Sequence, residues 1–367
     1  MKPLWQALAW GSGAVGAAVT GAAVGVATHS TRAALRRKST DPYADEVLGQ
    51  LPSDRRSTVA ADDGIPLSVQ EIDPAEGEAE LTVLLVHGFT LDSRSWHFQR
   101  RDLPEMSDPR VRLVLFDLRS HGRSGHSSKR TSTIDQLGRD LDAVLRATVR
   151  SGPVVLVGHS MGGMAIMALA AQRPELFRDH VRGVAFVGSS CGEVGSSGLP
   201  RPVLSRSNPL TRGLGVLADL QPALVERTRK VGDRITWNVI RTLAFGDRSI
   251  SPTVVDLMAD MIGSTSVEVI TDFLETISTH SRKDALAALR HCEVLVLSGD
   301  ADRLTPYVPH AEVIAGELPD AELVRVAGAG HLVILECPEL VTEHIAALVR
   351  RSYARKRTAR RRKVAGS

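Results

Sequence analysis

Residues 153–163 read PVVLVGHSMGG, an apolar run followed by a short turn that contains glycine. The run predicts a buried strand, and the apolar residues Met161–Gln172 that follow predict a helix. A strand-to-helix turn this sharp forces Ser160 into strained backbone geometry, and the flanking glycines remove side chains that would collide there. The pattern therefore predicts that Ser160 projects from the sheet at a helix N-terminus, as a candidate nucleophile.

Other short apolar runs alternate with helical patterns along the chain. The middle runs alternate poorly between apolar and polar residues, as expected of strands that helices cover on both faces. Ser132 with Asp135 predicts a helix start, and a last helix is predicted over Pro338–Val349. The fold class we predict is α/β, with a leading hairpin, a mostly parallel central sheet and helices on both faces. The predicted strands are 57–61, 67–72, 81–86, 111–116, 154–157, 181–187, 294–297 and 322–326.

The interval 191–291 interrupts this alternation with about a hundred residues of mainly helical pattern, including a Ser251-Pro252 helix start. A structureless loop of that length is improbable, so we predict an inserted helical cap. The remaining boundaries follow from it. They are an apolar segment with a basic flank over 1–40, a linker over 41–56, a core over 57–190 and 292–351, and a basic tail over 352–367.

A serine hydroxyl needs a base to become a nucleophile and an acid to orient that base. His331 stands on a glycine-containing loop after the predicted strand 322–326, and Asp300 and Asp302 follow the strand 294–297. Both loops lie at the carboxyl ends of strands, where open α/β sheets assemble their sites. Position in the chain allows either aspartate as the acid.

Acyl transfer also needs donors for a developing oxyanion. The strand 81–86 ends in a His87-Gly88 turn, which can present the backbone N–H of Phe89, and the N–H of Met161 follows Ser160 directly. We predict that these two groups are the oxyanion donors and that His87 is structural.

Three more motifs carry a family resemblance. Residues 117–124, DLRSHGRS, match D-x-R-G-H-G-x-S with Ser120 in place of the first glycine. Residues 299–306 match G-x-x-D-x-x-x-P, which selects Asp302 over Asp300, and residues 328–338 match G-x-G-H-x-x-x-x-E-x-P. The chain resembles the α/β-hydrolase fold superfamily, in its serine-nucleophile esterase and lipase-like branch with a helical cap.

The resemblance implies hydrolysis of a carboxylic ester of an apolar acyl group by Ser160, His331 and Asp302, with no cofactor and no metal. Epoxide hydrolases and haloalkane dehalogenases of this fold carry aspartate at the position of Ser160, so those reactions are not expected. Two alternatives stay open. Peroxide can replace water at the same acyl-enzyme, as in cofactor-free haloperoxidases and perhydrolases, and a protein of this fold can bind a ligand without turnover.

Apolar residues in the predicted cap suit an acyl pocket, although such residues also pack cap helices against one another. The candidates are Leu217, Leu220, Leu224, Trp237, Ile240, Leu243, Phe245, Leu257, Met258 and Met261.

Charge is distributed unevenly over the 367 residues, whose net charge is +3. The first 40 residues hold five basic residues and the last 18 hold nine, with no acidic residue in either end. The part between them therefore keeps 31 of the 45 basic residues against all 42 acidic ones, a net charge of −11. The basic tail has a single aromatic residue, Tyr353, and adjoins an acidic core, so no nucleic-acid partner is expected.

Pro3–Thr28 contains 26 consecutive residues without an ionisable group, which is long enough to span a bilayer of about 30 Å as a helix. Three interpretations stay open: a membrane anchor, a cleaved signal peptide, and a disordered or surface-lying extension. The basic residues that follow the segment favour an anchor with the catalytic part in the cytoplasm. The basic tail could add contact with anionic lipid headgroups. We therefore expect membrane association and a small-molecule ester or lipid substrate.

Overall fold

A computed structural model of the chain describes residues 41–149, 151–194 and 241–365, with side chains as far as Ala354. Its centre is an eight-stranded sheet in the order β1-β2-β4-β3-β5-β6-β7-β8. β2 pairs antiparallel with β1 and β4, and all other neighbours are parallel. The strands are β1 Arg55–Ala60, β2 Pro66–Ile72, β3 Leu81–Val86, β4 Val111–Phe116, β5 Val154–His159, β6 Val181–Val187, β7 Glu293–Gly299 and β8 Glu322–Val326. The predicted α/β fold with a leading hairpin is confirmed.

The α-helices are numbered here within the described ranges. They are α1 His97–Asp102, α2 Ile134–Thr148, α3 Met161–Gln172, α4 Pro174–Asp179, α5 Pro252–Ser264, α6 Val267–Ser278, α7 Tyr307–Glu317, α8 Val333–Glu336 and α9 Pro338–Ala365. The last helix is longer than predicted. Its backbone continues past Val349 and through the basic tail to Ala365.

Central strands are apolar on both faces because each face meets a different core. On β3, Leu84 and Val86 belong to one buried cluster, whereas Val83 and Leu85 belong to the other. Side chains alternate across a strand, so a strand with two covered faces needs apolar residues at every position. The weak alternation in the sequence is thereby explained.

The start of α2 differs from the prediction by one residue. The side chain of Thr133 accepts a hydrogen bond from the N–H of Gln136 at 3.1 Å, so Thr133 is the N-cap, not Ser132. The Ser132 hydroxyl instead donates to the carbonyl of Ser128 at 3.1 Å. Thr133 has the extended backbone that an N-cap needs, while Ser132 closes the turn before it.

Residues predicted as a linker contact the body of the protein. β1 begins at Arg55, within the predicted linker 41–56. The carboxylate of Asp41 accepts hydrogen bonds from the N–H and the hydroxyl of Thr253 at 3.1 and 2.7 Å, and Glu46 lies 2.8 Å from the ring of His97. The segment thus packs against α1 and the first turn of α5.

The interval 191–291 holds α5 and α6 in its described part. Ser251 caps α5 as predicted, since its hydroxyl accepts from the N–H of Val254 at 3.3 Å. A β-bridge between Gly192 and Ser281 joins the two ends of the interval. Residues 195–240, with the pocket candidates Leu217, Leu220, Leu224, Trp237 and Ile240, lie outside the described residues, so the cap boundaries stay a prediction.

Among the residues that the structure describes, no helix is both long and apolar enough to cross a bilayer. The segment Pro3–Thr28 lies outside those residues.

Candidate active site

Ser160 occupies the turn between β5 and α3 with φ 51° and ψ −117°. A non-glycine residue with positive φ is strained, and such strain persists only where the surroundings fix the backbone. Here the turn has no room for a side chain at position 158 or at position 162. A Cβ on Gly162 would collide with the carbonyl oxygen of Val86, and one on Gly158 would lie 2.5 Å from the nitrogen of Gly163. The glycines on both sides of Ser160 are therefore required by the fold.

Ser160, His331 and Asp302 form one hydrogen-bonded chain. Nε2 of His331 lies 3.0 Å from Oγ of Ser160, and Nδ1 of His331 lies 2.8 Å from Oδ2 of Asp302. The side chains of His331 and Asp302 are buried. Three loops far apart in the sequence thus bring together the three predicted residues, at the carboxyl ends of β5, β7 and β8.

Three hydrogen bonds hold the carboxylate of Asp302 besides its contact with His331. Oδ1 accepts from the N–H groups of Leu304 and Thr305 at 2.8 and 2.9 Å, and Oδ2 accepts from the Thr305 hydroxyl at 2.7 Å. Burial alone would raise the pKa of Asp302, but the nearby His331 and these donors lower it below its usual value. The same hydroxyl lies 3.0 Å from the carbonyl oxygen of Gly188, so Thr305 bridges the aspartate and the end of β6.

Asp300 has other partners. Its carboxylate accepts from the N–H of Gly328 at 2.7 Å and pairs with Arg325 at 3.3 Å. The structure therefore places Asp302, and not Asp300, against His331.

The two predicted oxyanion donors lie beside Ser160. Phe89 and Met161 line the same cavity as Ser160 and His331. Within the described part of the chain, neither backbone N–H has a hydrogen-bond acceptor. His87 is structural, as predicted: Nδ1 bonds the carbonyl of Gly88 at 2.8 Å, and Nε2 accepts from the N–H of Leu118 at 2.8 Å.

The loop that follows β4 is held by a buried ion pair and a local hydrogen bond. The Arg119 side chain is fully buried and pairs with Asp140 at 2.6 Å and Asp63 at 2.8 Å. Ser120, which replaces the glycine of the motif, has φ 63°, and its hydroxyl accepts from the N–H of Ser127 at 2.9 Å. That local hydrogen bond accompanies a backbone conformation that normally favours glycine.

An apolar cavity of about 420 Å³ opens onto Ser160 and His331. Of the predicted cap candidates, Leu243 and Met258 line it, while Phe245, Leu257 and Met261 pack into a buried core instead. Sequence reasoning missed Ile270, Leu274 and Ile277 of α6, which form part of the wall. They are spaced by four and then three residues, which places them on one face of a helix. This spacing could have identified them from the sequence.

A serine, a histidine and an aspartate joined in this order above a mostly parallel sheet define the site of an α/β hydrolase. The chain belongs to the alpha/beta hydrolase family, whose sequence profile matches residues 83–344.

Individual relatives are similar over different lengths. Lipase LipV of Mycobacterium tuberculosis is 36% identical over 170 residues, which cover 44% of this chain and 60% of that protein. The uncharacterized hydrolase YugF of Bacillus subtilis is 27% identical over 272 residues, 73% of this chain and 90% of YugF. A thermophilic esterase from Thermogutta terrifontis superimposes with a TM-score of 0.62 at 26% identity, over 82% of this chain and 99% of the esterase.

Proposed function

We propose that the protein is a serine hydrolase that cleaves carboxylic esters of apolar acyl groups. The observation that carries the proposal is the continuous contact from Ser160 through His331 to Asp302, at the floor of an apolar cavity. Relatives named as a lipase and an esterase support the ester as the bond that is cleaved.

In the first half of the reaction, Oγ of Ser160 attacks the ester carbonyl carbon while Nε2 of His331 takes the hydroxyl proton. The carbon–oxygen π pair moves onto the carbonyl oxygen, which the N–H groups of Phe89 and Met161 stabilise. When the carbonyl re-forms, the bond to the alcohol breaks, and the departing oxygen takes the proton from His331. The product of this half is an acyl-Ser160 ester and a free alcohol.

Water completes the cycle by the same route. His331 takes a proton from the attacking water, the tetrahedral intermediate collapses, and Ser160 recovers its proton as the acid leaves. Asp302 keeps the ring proton of His331 on Nδ1, so that Nε2 faces Ser160 as a base. It also stabilises the positive ring formed in each half, because its lowered pKa keeps it ionised.

The lining of the cavity supports an uncharged, apolar acyl group. Its walls carry Met164, Leu243, Met258, Ile270 and Leu274. Among the described residues that line it, no side chain other than those of His159 and His331 is acidic or basic. Burying an unpaired charge there would cost free energy, whereas burying a hydrocarbon chain is favourable. We therefore expect neutral acyl esters, including lipid esters, as substrates.

A panel of p-nitrophenyl esters with acyl chains of increasing length tests the proposal. We expect Ser160→Ala to abolish turnover, whereas Ser264→Ala, an exposed serine at the end of α5, keeps it. Peracid formation, measured in the same samples with added peroxide, decides between water and peroxide as the acyl acceptor. Wild-type protein that hydrolyses no member of the panel contradicts the proposal.

We also propose that the enzyme is attached to a membrane, with the catalytic part in the cytoplasm. The proposal rests on the uncharged segment Pro3–Thr28 and on the basic residues at both ends of the chain. Cell fractionation with and without residues 1–40 tests it. Full-length protein recovered in the high-salt soluble fraction contradicts it.

A further inference from the structure

Glu336, the glutamate of the G-x-G-H-x-x-x-x-E-x-P motif, has no part in the chemistry proposed above, yet its carboxylate contacts two separate segments. Oε2 accepts from the N–H of Gly330, the residue before His331, at 2.7 Å. Oε1 accepts from the N–H groups of Gly246 and Asp247 at 3.0 and 2.6 Å. One side chain thus binds the loop of His331 and a segment of the predicted cap.

The two segments also touch directly. The N–H of Leu332 donates to the carbonyl of Ala244 at 2.9 Å. A Cβ on Gly330 would lie 2.5 Å from the nitrogen of Gly246, so the two backbones are in contact. We refer to residues 244–247 as the cap segment and to residues 328–332 as the histidine loop.

Three backbone groups around His331 are therefore fixed by three different partners. Glu336 holds the N–H of Gly330, and the cap segment holds the N–H of Leu332. The carbonyl of His331 itself accepts from Nε2 of His159, at 3.0 Å. Burial, together with the neighbouring His331, lowers the pKa of His159 to about 3, which keeps its ring neutral. One partner is the cap segment itself, the second, Glu336, also binds that segment, and the third, His159, belongs to the core.

The charge of the Glu336 carboxylate indicates that its hydrogen bonds, and not packing alone, join the two segments. In the described part of the chain no basic side chain pairs with its carboxylate, so backbone N–H groups alone compensate the charge. Hydrogen bonds from N–H groups to a carboxylate are shorter and stronger than those between neutral groups. Removing the charge should therefore loosen both segments at once.

We propose that Glu336 is a positioning residue that ties the cap segment to the histidine loop, so that His331 is aligned with Ser160 only while the cap segment is in place. The inference rests on the proposed function for its catalytic consequence. The tie itself is a property of the folded chain and can be measured without turnover.

The test compares Glu336→Gln with Glu339→Gln in the full-length protein. Glu339 is exposed and three residues further on, so its variant makes the same change of charge away from both segments. Glutamine keeps the shape of Glu336 but carries no charge. Its amide NH2 group is a donor and would face a backbone N–H that is also a donor. If Glu336→Gln does not fold, Glu336→Asp takes its place in the test. Aspartate keeps the charge but is one methylene shorter.

Two measurements are made on each protein. Amide hydrogen exchange followed by mass spectrometry reports the protection of peptides that cover residues 244–247 and 328–332. Steady-state kinetics with p-nitrophenyl acetate report kcat and KM. We expect Glu336→Gln to lose protection in both peptides and to lower kcat about 10- to 100-fold, with KM changed much less, because misalignment affects the chemical step. Glu339→Gln should match the wild type.

Each other outcome has a definite meaning. Unchanged exchange in either peptide overturns the tie. Faster exchange in both peptides with an unchanged kcat overturns the positioning role and leaves Glu336 as a structural residue. If the wild type hydrolyses no ester, the proposed function and the positioning role fail together, while the exchange data still decide whether Glu336 joins the two segments.

Discussion

Thr305 and Asp302 are joined by a hydroxyl that lies 2.7 Å from Oδ2 of the aspartate and 3.0 Å from the carbonyl of Gly188. The same hydroxyl is 3.2 Å from Nδ1 of His331. Thr305 thus connects the carboxylate, the imidazole and the end of β6. The orientation of the triad depends on this side chain as well as on the three residues of the triad itself.

Thr305→Val should impair catalysis without preventing folding. Valine has a similar shape but no hydroxyl, so Asp302 loses a donor in a buried site. We expect kcat to fall about tenfold, equivalent to about 1.4 kcal/mol, because an unsatisfied buried polar group costs about that much. Thr305→Ser should restore most of the activity. Steady-state kinetics of the three proteins check this, and equal kcat values for the valine and serine variants would argue against it.

Asp302 and Asp300 offer a matched pair for the acid of the triad. Asp302→Asn should reduce kcat by about 10⁴, as loss of the correct histidine tautomer does in serine proteases. Asp300→Asn should reduce kcat far less than Asp302→Asn, because Asp300 contacts Gly328, at the start of the histidine loop, and Arg325 rather than His331 itself. Comparable losses in both variants would contradict the assignment of Asp302.

Steric crowding at Gly162 predicts a large effect of one methyl group. Gly162→Ala should destabilise the protein, or prevent its purification, because the added Cβ would collide with the backbone carbonyl of Val86. Gly316→Ala is the control. It places the same methyl group in α7, where nothing lies within 4 Å, and should raise the free energy of unfolding by about 0.5–1 kcal/mol. Denaturant unfolding of both variants provides the comparison.

The wall formed by α6 should control acyl length. Leu274 lines the cavity, so Leu274→Trp should reduce kcat/KM for long acyl chains and retain activity on acetate. Val267→Trp changes an exposed residue at the start of the same helix and should leave the chain-length profile unchanged. Identical profiles for all three proteins would show that the acyl chain lies elsewhere.

His280 should make stability depend on pH. Burial lowers its pKa to about 4, from about 6.5 in an unfolded chain. Well above pH 6.5 both states are neutral at this residue. Between pH 6.5 and 4 the unfolded chain binds a proton that the folded protein excludes, so the free energy of unfolding decreases as the pH falls.

The change from pH 7.5 to pH 5 should cost about 2 kcal/mol through His280 alone. His280→Leu should remove that part of the pH dependence, and His126→Leu, at an exposed histidine, should not. Urea unfolding at the two pH values checks the difference. The same slope in His280→Leu and in the wild type would contradict the role of His280.

Much of the fold and of the site could be predicted because both depend on local patterns. Apolar runs place the strands, and the carboxyl ends of parallel strands meet at one edge of the sheet, which brings Ser160, Asp302 and His331 together. The contact of Glu336 with Gly246 could not be predicted, because it depends on how two segments about 90 residues apart pack in three dimensions. The Thr133 cap was missed for a local reason, since Ser132 and Thr133 are both good N-cap residues.

The central claim is that Ser160 is the nucleophile, and mass mapping after reaction with a fluorophosphonate probe tests it most directly. The probe phosphonylates an activated serine, so the wild type should carry one adduct, on the peptide that contains Ser160. Ser160→Ala should carry none, and Asp302→Asn should react much more slowly. An adduct on another residue would contradict this claim. Ester hydrolysis by Ser160→Ala at the rate of the wild type would contradict it as well.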